Sequence, residues 1–372
     1  MKLFLITLLI FLPLFLLRYF QTQPKFSPGQ RVRISATIVT EPLLKDNQQI
    51  FTVSRVRVYA PRFPEFNYGD KIVVTGTVRK GEKVLYLKEP EITLLNKAGI
   101  LPSIRGRILE LFRRTLPELE SALLAGVTLG AKESLTTDFS ASLKNSGMLH
   151  VVVASGMNVT LVARVLMGSL IFFFTRKLAI PATLTGIWLY VALIGLSPPI
   201  IRAAIMGSLA FTAQELGRLL FAWWSLFLSA VAMLLIWPNW IFDVGFLLSF
   251  AATAGILAFE QPIKNRLSYL LKRVTRGAGL PAQAGPAATL MQDLSTSLAA
   301  QICTTPILFV AFGQLSPWSP IMNALLLWTI PPMTILGFLG GFLGILLEPL
   351  GRTLILLSYP LSFIFVQAVA LF

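Results

Sequence analysis

The feature that most constrains this chain is a series of long apolar stretches separated by short polar loops. Nine of them occur, at residues 3–20, 148–174, 179–196, 199–216, 219–237, 243–260, 291–312, 320–347 and 353–371. An α-helix needs about 20 apolar residues to cross the hydrocarbon core of a bilayer, and each stretch approaches or exceeds that length. Only 13% of the residues are charged, whereas soluble domains carry roughly 25%. The sequence therefore predicts an α-helical polytopic membrane protein with about nine spans, some of them broken or re-entrant.

The first stretch is predicted to be an N-terminal membrane anchor, residues 1–24. It ends in Arg18-Tyr19-Phe20 and is followed by "QTQPKF". A signal peptide would instead have a shorter apolar core and a small-residue cleavage site. We therefore expect an uncleaved helix.

Residues 25–100 have a different periodicity, which predicts β-structure. In "GQRVRISATIVTEP", every second residue from Val32 to Ile38 is apolar, and the segments "QIFTVSRVRVYAP", "YGDKIVVTGTVRKG" and "KVLYLKEPEITLL" repeat this alternation. Short alternating strands between Gly, Pro and Asp turns are typical of small barrels. We predict a small OB-like β-barrel domain on the extracytoplasmic side, with a bulge where the alternation slips between Val53 and Val56.

The OB-like domain carries exposed cations of the kind that bind a polyanion. Five are predicted to bind nucleic acid: Arg31, Arg33, Arg55, Arg57 and Lys71. Phe63, Phe66 and Tyr68 are candidate platforms for base stacking, although a place in the hydrophobic core is the commoner role for such side chains.

Two further divisions of the chain follow the barrel. Residues 101–146 include "IRGRILELFRRTLPELESALLAGVTLG", an amphipathic segment that predicts helices lying along the membrane interface. Residues 147–372 hold the remaining apolar stretches and form the predicted membrane channel domain. The sequence "GVTLGAK" lacks the Gly-Lys-Ser/Thr ending of a phosphate loop, so no ATP site is predicted.

The distribution of Lys and Arg between the loops predicts an orientation. With a cytoplasmic N-terminus, the inner loops are 176–177, 214–218, 261–290 and 348–352, and the outer loops are 197–198, 238–242 and 313–319. The inner loops carry nine Lys or Arg and the outer loops none. Because basic loops are retained in the cytoplasm, this pattern predicts a multi-pass protein of the cytoplasmic (inner) membrane with an extracytoplasmic OB-like domain.

Polar residues interrupt the second apolar stretch at "GMLHVVVASGMNVTLV", residues 147–162. His150, Ser155 and Asn158 lie there, and Arg164 follows. A polar group in lipid is costly unless it faces protein or water, and a guanidinium costs at least ~2.5 kcal/mol. His150 and Ser155 are about 140° apart on a helix, so they do not form a catalytic dyad on one unbroken helix. Two interpretations stay open: these residues line an aqueous path, or they are small packing residues between helices.

Later stretches repeat the pattern. "SPPIIRAAIM" places Arg202 one turn inside its helix, and "DVGFLLSFAATAGI" opens with Asp243, which either caps that helix or pairs with Arg202. "DLSTSLAAQICTTP" contains Asp293 and is polar enough to line a cavity, and Asn323 precedes the Pro331-Pro332 break. All four are predicted to lie on the same path.

Four of these blocks together resemble the ComEC family of bacterial DNA-uptake channels. They are "HVVVASGMNVTLV", "SPPIIRAAIM", "DVGFLLSFAATAGI" and "TTPILFVAFGQLSPWSPIMNALLLWTIPP", in the family's order, and "FNYGDKIVVTGTV" resembles the family's OB-like domain. The resemblance implies an inner-membrane channel that admits single-stranded DNA during natural transformation. The barrel would then receive DNA and the polar residues of the membrane body would line its path.

The sequence departs from this family in two respects. Full-length members usually end in a metallo-β-lactamase-like nuclease domain, and this chain has no His-x-His-x-Asp-His cluster. Three explanations stay open: the nuclease is a separate chain, the sequence is truncated, or the function has diverged. The family most often has His where Asn158 stands and Gly where Thr160 stands, although Asn keeps a hydrogen-bonding capacity.

The sequence thus predicts a DNA channel rather than an enzyme, without metal or cofactor. One histidine and one cysteine leave too few ligands for a catalytic zinc site. The expected partners are single-stranded DNA, membrane lipids, a cytoplasmic helicase or other ATPase, a DNA receptor protein and a separate nuclease; no oligomeric state is predicted. The alternatives are a transporter of a small anionic or lipid-linked substrate and an intramembrane hydrolase centred on Ser155.

Overall fold

The computed structural model describes residues 2–22, 26–38, 42–45, 48–53, 56–81, 85–96, 99–131, 135–152, 156–218, 221–274, 286–313 and 318–372. Within these ranges the chain is mostly helical, with a small region of β-sheet near its N-terminus. Two predicted site residues, Arg55 and Ser155, lie outside the described residues.

The sheet region lies between the first two helices. Its strands are β1 (Arg31–Thr37), β2 (Leu43–Lys45), β3 (Gln48–Val53), β4 (Val56–Pro61), β5 (Lys71–Thr77), β6 (Arg79–Lys80), β7 (Leu85–Lys88) and β8 (Glu91–Asn96). The helices are α1 (Lys2–Gln21), α2 (Ile100–Thr115), α3 (Glu118–Leu129), α4 (Thr137–Asn145), α5 (Leu149–Val152), α6 (Gly156–Phe173), α7 (Arg176–Ile194), α8 (Pro198–Glu215), α9 (Ala222–Ile236), α10 (Val244–Val274), α11 (Pro286–Phe312), α12 (Ser319–Leu326), α13 (Ile330–Leu346), α14 (Glu348–Leu357) and α15 (Tyr359–Val369).

The apolar stretches of the sequence are helical over most of their described length. By length and composition, five segments are able to cross a membrane: Leu149–Phe173, Arg176–Ile194, Val244–Tyr269, Met291–Ala311 and Ser319–Leu346. The count becomes six when α14 and α15, which meet at a bend of 42°, are taken as one span. Helix α9 is apolar but has only 15 residues. The described residues therefore hold five to six candidate spans, and the count of about nine stays a prediction.

The alternation read from the sequence matches side-chain burial in the sheet region. Val32, Ile34 and Ile38 are buried in one core, while Arg31 and Arg33 are exposed. The strands form a three-stranded sheet in the order β1-β5-β8 and a five-stranded sheet in the order β2-β3-β4-β7-β6. β4 and β7 are parallel, and the other described pairs are antiparallel. The OB-like assignment itself stays a prediction.

The bulge predicted between Val53 and Val56 is wrong. These two residues are cross-strand partners at the end of an antiparallel pair formed by β3 and β4. The alternation slips there because one strand ends and the next begins. A phase slip has the same sequence signature in both cases, since both add residues between two inward-facing positions.

The helical body is built around α3, whose residues from Glu120 to Leu129 are all buried. Helix α2 packs on it with an apolar face that includes Ile108 and Phe112 and leaves its charged face exposed. Helix α13 contacts both α2 and α3. Helix α3 belongs to the segment predicted to lie along the membrane interface, but other helices enclose it.

Several helix ends lie together beside the sheet region. The Tyr68 hydroxyl of the β4–β5 loop donates to the Ala192 carbonyl near the end of α7, at 3.1 Å. Arg18 near the end of α1 donates to the Leu235 carbonyl near the end of α9, at 3.3 Å. A Cβ on Gly245 would lie 3.9 Å from Pro199, so α8 and α10 also begin close together. The predicted outer loops 197–198 and 238–242 therefore adjoin helix ends on the side of the body that meets the sheet region.

Helices α13 and α14 form an antiparallel pair that depends on glycine. A Cβ on Gly351 would overlap the Cα of Gly344 and would lie 2.6 Å from the carbonyl oxygen of Gly340. Because both obstructing groups are backbone, neither moves without moving its helix. Small residues of this kind let helices approach closely in membranes, where packing rather than water exclusion holds helices together.

We expect Gly351→Ala to separate α13 from α14 and to lower the stability of the chain by about 1–3 kcal/mol, the usual cost of overpacking. The measurement is thermal unfolding of the purified chain in detergent. Gly168→Ala is the matched control, because no atom lies within 4 Å of a Cβ at this position in α6. Equal melting temperatures for the two variants would contradict the assignment of a close backbone contact.

Candidate nucleic-acid interface and polar residues of the helical body

Three of the predicted DNA-binding cations share one face of the three-stranded sheet. Arg31, Arg33 and Lys71 are exposed, and the register of β1 on β5 places Arg31 opposite Thr77 and Thr37 opposite Lys71. The three side chains therefore point outward from the same face. Arg31 also lies 4.0 Å from the Glu91 carboxylate, an exposed pair of the kind that contributes little to stability.

Arg57 lies on the other sheet, in a cluster that we call the tyrosine patch: Arg57, Tyr59, Arg79, Tyr86 and Lys88. Strand register puts Arg57 opposite Tyr86 and Tyr59 opposite Lys88, and Tyr86 is also opposite Arg79. The rings of Tyr59 and Tyr86 are 5.9 Å apart at 85°. Both tyrosines are half-buried and the three cations are exposed.

The tyrosine patch combines the two features that bind a single nucleic-acid strand. Cations neutralise phosphates, and aromatic rings stack on bases of any sequence. Sequence reasoning found Arg57 but missed the other four members. The spacing of Arg57 and Tyr59, two apart on one strand, was a visible signal. The pairing of β4 with β7 joins residues far apart in sequence, so periodicity could not reveal the rest.

The three aromatic residues predicted as stacking platforms lie in three different environments. Phe66 is 5% exposed and packs in the core of the sheet region, which is the commoner role weighed for it. Phe63 is 68% exposed, and the Arg62 guanidinium lies 5.6 Å from its ring centre. Tyr68 is half-buried at the contact with α7. Phe63 is therefore the one of the three whose ring is open to a base.

The loop that presents Phe63 is held by one buried amide. The Gln49 side chain donates through Nε2 to the carbonyls of Pro61, Arg62 and Pro64, at 2.8, 2.9 and 2.8 Å. Its Oε1 accepts from the Phe66 backbone N–H at 2.9 Å. Gln49 thus fixes the chain on both sides of Phe63, immediately after the strand that carries Arg57 and Tyr59.

The polar residues of the second apolar stretch face in different directions. His150 is exposed in α5, with Nδ1 2.9 Å from the Gly147 carbonyl oxygen. Asn158 is fully buried; its Nδ2 donates to the Val127 carbonyl at 2.6 Å, and its Oδ1 has no hydrogen-bond partner among the described residues. Arg164 is exposed on α6 and forms no ion pair within the described ranges. A mid-helix guanidinium on an exposed face requires water or an anion rather than lipid.

Arg202 reaches the point where α6, α8 and α10 meet. Its Nε donates to the Ser249 hydroxyl at 2.7 Å, and its Nη1 lies 3.4 Å from the sulfur of Met206. Its Nη2 would be 3.1 Å from a Cβ on Gly156. No carboxylate pairs with it in the part of the chain that the structure describes. A guanidinium whose partners are neutral keeps its full charge for an anionic ligand.

Three further residues predicted to line the path lie in the later part of the chain: Asp243 immediately before α10, Asp293 in α11 and Asn323 in α12. Asp243 accepts from the Phe246 backbone N–H at 2.9 Å and so caps α10, which is the first of its two predicted roles. Asp293 is half-buried in α11. Asn323 is 5% exposed in α12, and its Oδ1 lacks a hydrogen-bond partner among the described residues. No hydrogen bond or ion pair joins any two of the seven described path residues.

A metal site is not formed by the described side chains. No group of three or more His, Cys, Asp or Glu residues within these ranges is arranged to hold an ion.

Comparison with known proteins identifies the family. Residues 127–372 match the sequence model of the family described as Competence protein, which covers well over half of the chain. The chain belongs to the Competence protein family. Its match begins inside α3, so the tyrosine patch and α2 precede it and all seven described path residues fall within it.

Two relatives extend this result. The chain is 26% identical over 255 residues to ComE operon protein 3 of Bacillus subtilis (strain 168); the match covers 68% of this chain and 30% of that protein. It is 26% identical over 321 residues to an uncharacterized protein of Aquifex aeolicus (strain VF5), covering 83% of this chain and 72% of that one. The match thus spans less than a third of the length of ComE operon protein 3. No solved structure matches the chain.

The different positions of Phe66 and Phe63 predict different consequences. Phe66→Ala should destabilise the sheet region by about 3–5 kcal/mol, because it empties a core position. Phe63→Ala should change stability by no more than about 0.5 kcal/mol, as at other exposed sites. Hydrogen exchange of the sheet-region amides in the full chain measures both. A loss of protection in Phe63→Ala equal to that in Phe66→Ala would contradict the burial described here.

Proposed function

We propose that this chain is an inner-membrane channel that conducts single-stranded DNA into the cytoplasm during natural transformation. Membership of the Competence protein family and the similarity to ComE operon protein 3 support a role in DNA uptake. The single observation that favours a nucleic-acid ligand is the tyrosine patch, because a small anion would need no stacking surface. The two half-buried rings, flanked by three exposed cations, match the chemistry of an unpaired strand.

The polar residues of the helical body support the second half of the proposal, a route through the membrane. Arg202 lacks a carboxylate partner within the described ranges, and Asn158 and Asn323 each bury an oxygen without a hydrogen-bond partner there. Buried polar atoms of this kind are normally bound to ordered water or a ligand. We place the DNA path along these side chains, with Arg202 as a phosphate contact.

The loops support a proposed orientation. The sheet region and two of the predicted outer loops, 197–198 and 238–242, lie at one end of the body, and the predicted inner loops carry the basic residues. We propose an extracytoplasmic sheet region that receives DNA. We propose that a cytoplasmic helicase or other ATPase drives transport, because the sequence carries no ATP-binding motif, and that a separate nuclease degrades the second strand. A DNA receptor protein would deliver the strand to the outer face.

Binding by the tyrosine patch is tested with the double variant Tyr59→Ala/Tyr86→Ala. It should weaken binding of a labelled oligothymidylate by about tenfold or more, since each base–ring stack is worth roughly 1–3 kcal/mol. Arg57→Gln/Arg79→Gln should instead flatten the dependence of log K on log salt by about 1.4, the share of two phosphate contacts. The measurement is fluorescence anisotropy with the full chain in nanodiscs.

The control for this experiment is Tyr269→Ala, which removes an exposed tyrosine from the helical body. It should bind DNA as the parent chain does. Unchanged affinity in Tyr59→Ala/Tyr86→Ala, with the same fold by hydrogen exchange, would refute the nucleic-acid ligand.

The membrane path is tested with Arg202→Gln. Removing the charge should lower uptake of DNA into a nuclease-resistant form by about tenfold or more, because a hydrogen bond to a charged group contributes about 1.5–3 kcal/mol. DNA bound at the cell surface should not change. Arg202→Lys should retain part of the uptake, and Arg176→Gln, at the exposed start of α7, is the control. Full uptake by Arg202→Gln would exclude Arg202 from the path.

A further inference from the structure

The sheet region meets the helical body at the C-terminal end of α7, where unpaired carbonyls need donors. A helix leaves its last four carbonyls without partners in the helix. In α7 these belong to residues 191–194, and the chain supplies a donor to the first of them locally: the N–H of Gly195 bonds to the Val191 carbonyl at 3.0 Å. Gly195 has φ 113°, a conformation that favours glycine, and the chain turns away there.

The three remaining carbonyls are satisfied from outside the helix. The Tyr68 hydroxyl donates to the Ala192 carbonyl at 3.1 Å. Nη1 of Arg105 donates to the carbonyls of Leu193 and Ile194, at 3.3 and 2.5 Å. Every orphaned carbonyl at this end therefore has a partner, and two elements outside the membrane-spanning helices supply them: the β4–β5 loop and α2.

Arg105 is suited to this position by charge as well as by geometry. It is 4% exposed, and a buried cation is tolerated only beside compensating negative charge. The C-terminal end of a helix carries about half a negative charge, within reach of the guanidinium here. The guanidinium also lies 5.4 Å from the centre of the Tyr68 ring, close enough for an attractive cation–π contact.

Tyr68 is presented by a turn that is itself fixed. The N–H of Gly69 bonds to the Ile38 carbonyl and the N–H of Ile38 to the Asp70 carbonyl, both at 2.9 Å. Asp70 also accepts from the Asn67 N–H at 2.8 Å. Burial raises the pKa of the Tyr68 phenol above its ordinary value, and the Arg105 charge opposes this rise without cancelling it. The hydroxyl therefore stays protonated, and able to donate, across the neutral pH range.

We propose that Tyr68 and Arg105 form a clamp that positions the sheet region on the helical body, so that a DNA strand bound outside is held at the entrance to the membrane path. In the sequence, Tyr68 precedes the connection from β8 to α2 and Arg105 follows it. Together the two side chains fix the sheet region to the end of α7. Both precede the residues that match the Competence protein family. The clamp itself is a property of the fold; its role in transport rests on the function proposed above.

The positioning is measured directly as a distance in the full chain in nanodiscs. With Cys303 replaced by serine, spin labels at Lys80→Cys and Lys177→Cys report the separation of the sheet region from α7, because both positions are exposed. The parent should give one narrow distance distribution by double electron–electron resonance. Arg105→Met should broaden this distribution about twofold or more. The variant loses two hydrogen bonds to carbonyls and also the attraction between the guanidinium and the negative end of α7.

Milder variants guard against simple misfolding. Tyr68→Phe removes one hydroxyl and should broaden the distribution less than Arg105→Met. Arg105→Lys keeps the charge and reaches one carbonyl at a time, so it should restore part of the narrow distribution. The controls are Arg113→Met, an exposed arginine on the same helix, and Tyr269→Phe. Parent-like distributions in both Arg105→Met and Tyr68→Phe would overturn the clamp.

The consequence for transport is measured as two quantities, DNA bound at the cell surface and DNA internalised. Arg105→Met should bind as much DNA as the parent and internalise about tenfold less, in the range typical of coupling between two sites. Broadened distances with unchanged internalisation would refute the positioning role. A parent chain that neither binds nor internalises DNA would refute the proposed function, while the distance measurement would still decide the clamp.

Discussion

The constraint on which this structure depends is that backbone carbonyls at buried helix ends must find hydrogen-bond donors. At the end of α7 the donors are Tyr68 and Arg105. At the end of α3, the carbonyls of Val127 and Thr128 accept from Asn158 and Tyr190, at 2.6 and 2.8 Å. These bonds set which elements are neighbours, because each donor comes from a different part of the chain. The sheet region, α2, α6 and α7 are thereby tied to the enclosed helix α3.

The same constraint separates the polar groups of the helical body that bond to helix ends from those that do not. Asp243 is used by its own helix end, and the amide nitrogen of Asn158 is used by α3. Among the groups that do not bond to helix ends are Arg202, with neutral partners within the described ranges, and the Oδ1 atoms of Asn158 and Asn323, which have no hydrogen-bond partner there. Asn158 thus packs α6 against α3 through its amide nitrogen and leaves its Oδ1 without a hydrogen-bond partner among the described residues, while the aqueous path stays a prediction. The proposed DNA path runs along these remaining groups.

Features that depend only on residues close together in the sequence were predicted correctly. Apolar length predicted helices, a two-residue period predicted the buried faces of β1 and β5, and an acidic residue before a helix predicted the cap by Asp243 as one of two possible roles. The error at the bulge and the two roles weighed for each aromatic residue arose where two structures share one local pattern. The slip between Val53 and Val56 fits a bulge or the junction of two paired strands, and an aromatic residue such as Phe66 fits a stacking platform or a core. Only the neighbours in space distinguish these cases.

By itself the sequence determined the class of the fold, a mostly helical body with long apolar helices and a small sheet region, because length, hydropathy and side-chain period are properties of single segments. It also determined which cations and polar residues were candidates. The tertiary structure alone decided which of them meet. Tyr59 faces Lys88, Arg105 reaches Ile194, and Arg202 reaches Ser249, at sequence separations of 29 to 89 residues. Such contacts form between segments that are distant in the sequence. They depend on how the whole chain packs, because packing must also give buried charges and carbonyls their partners.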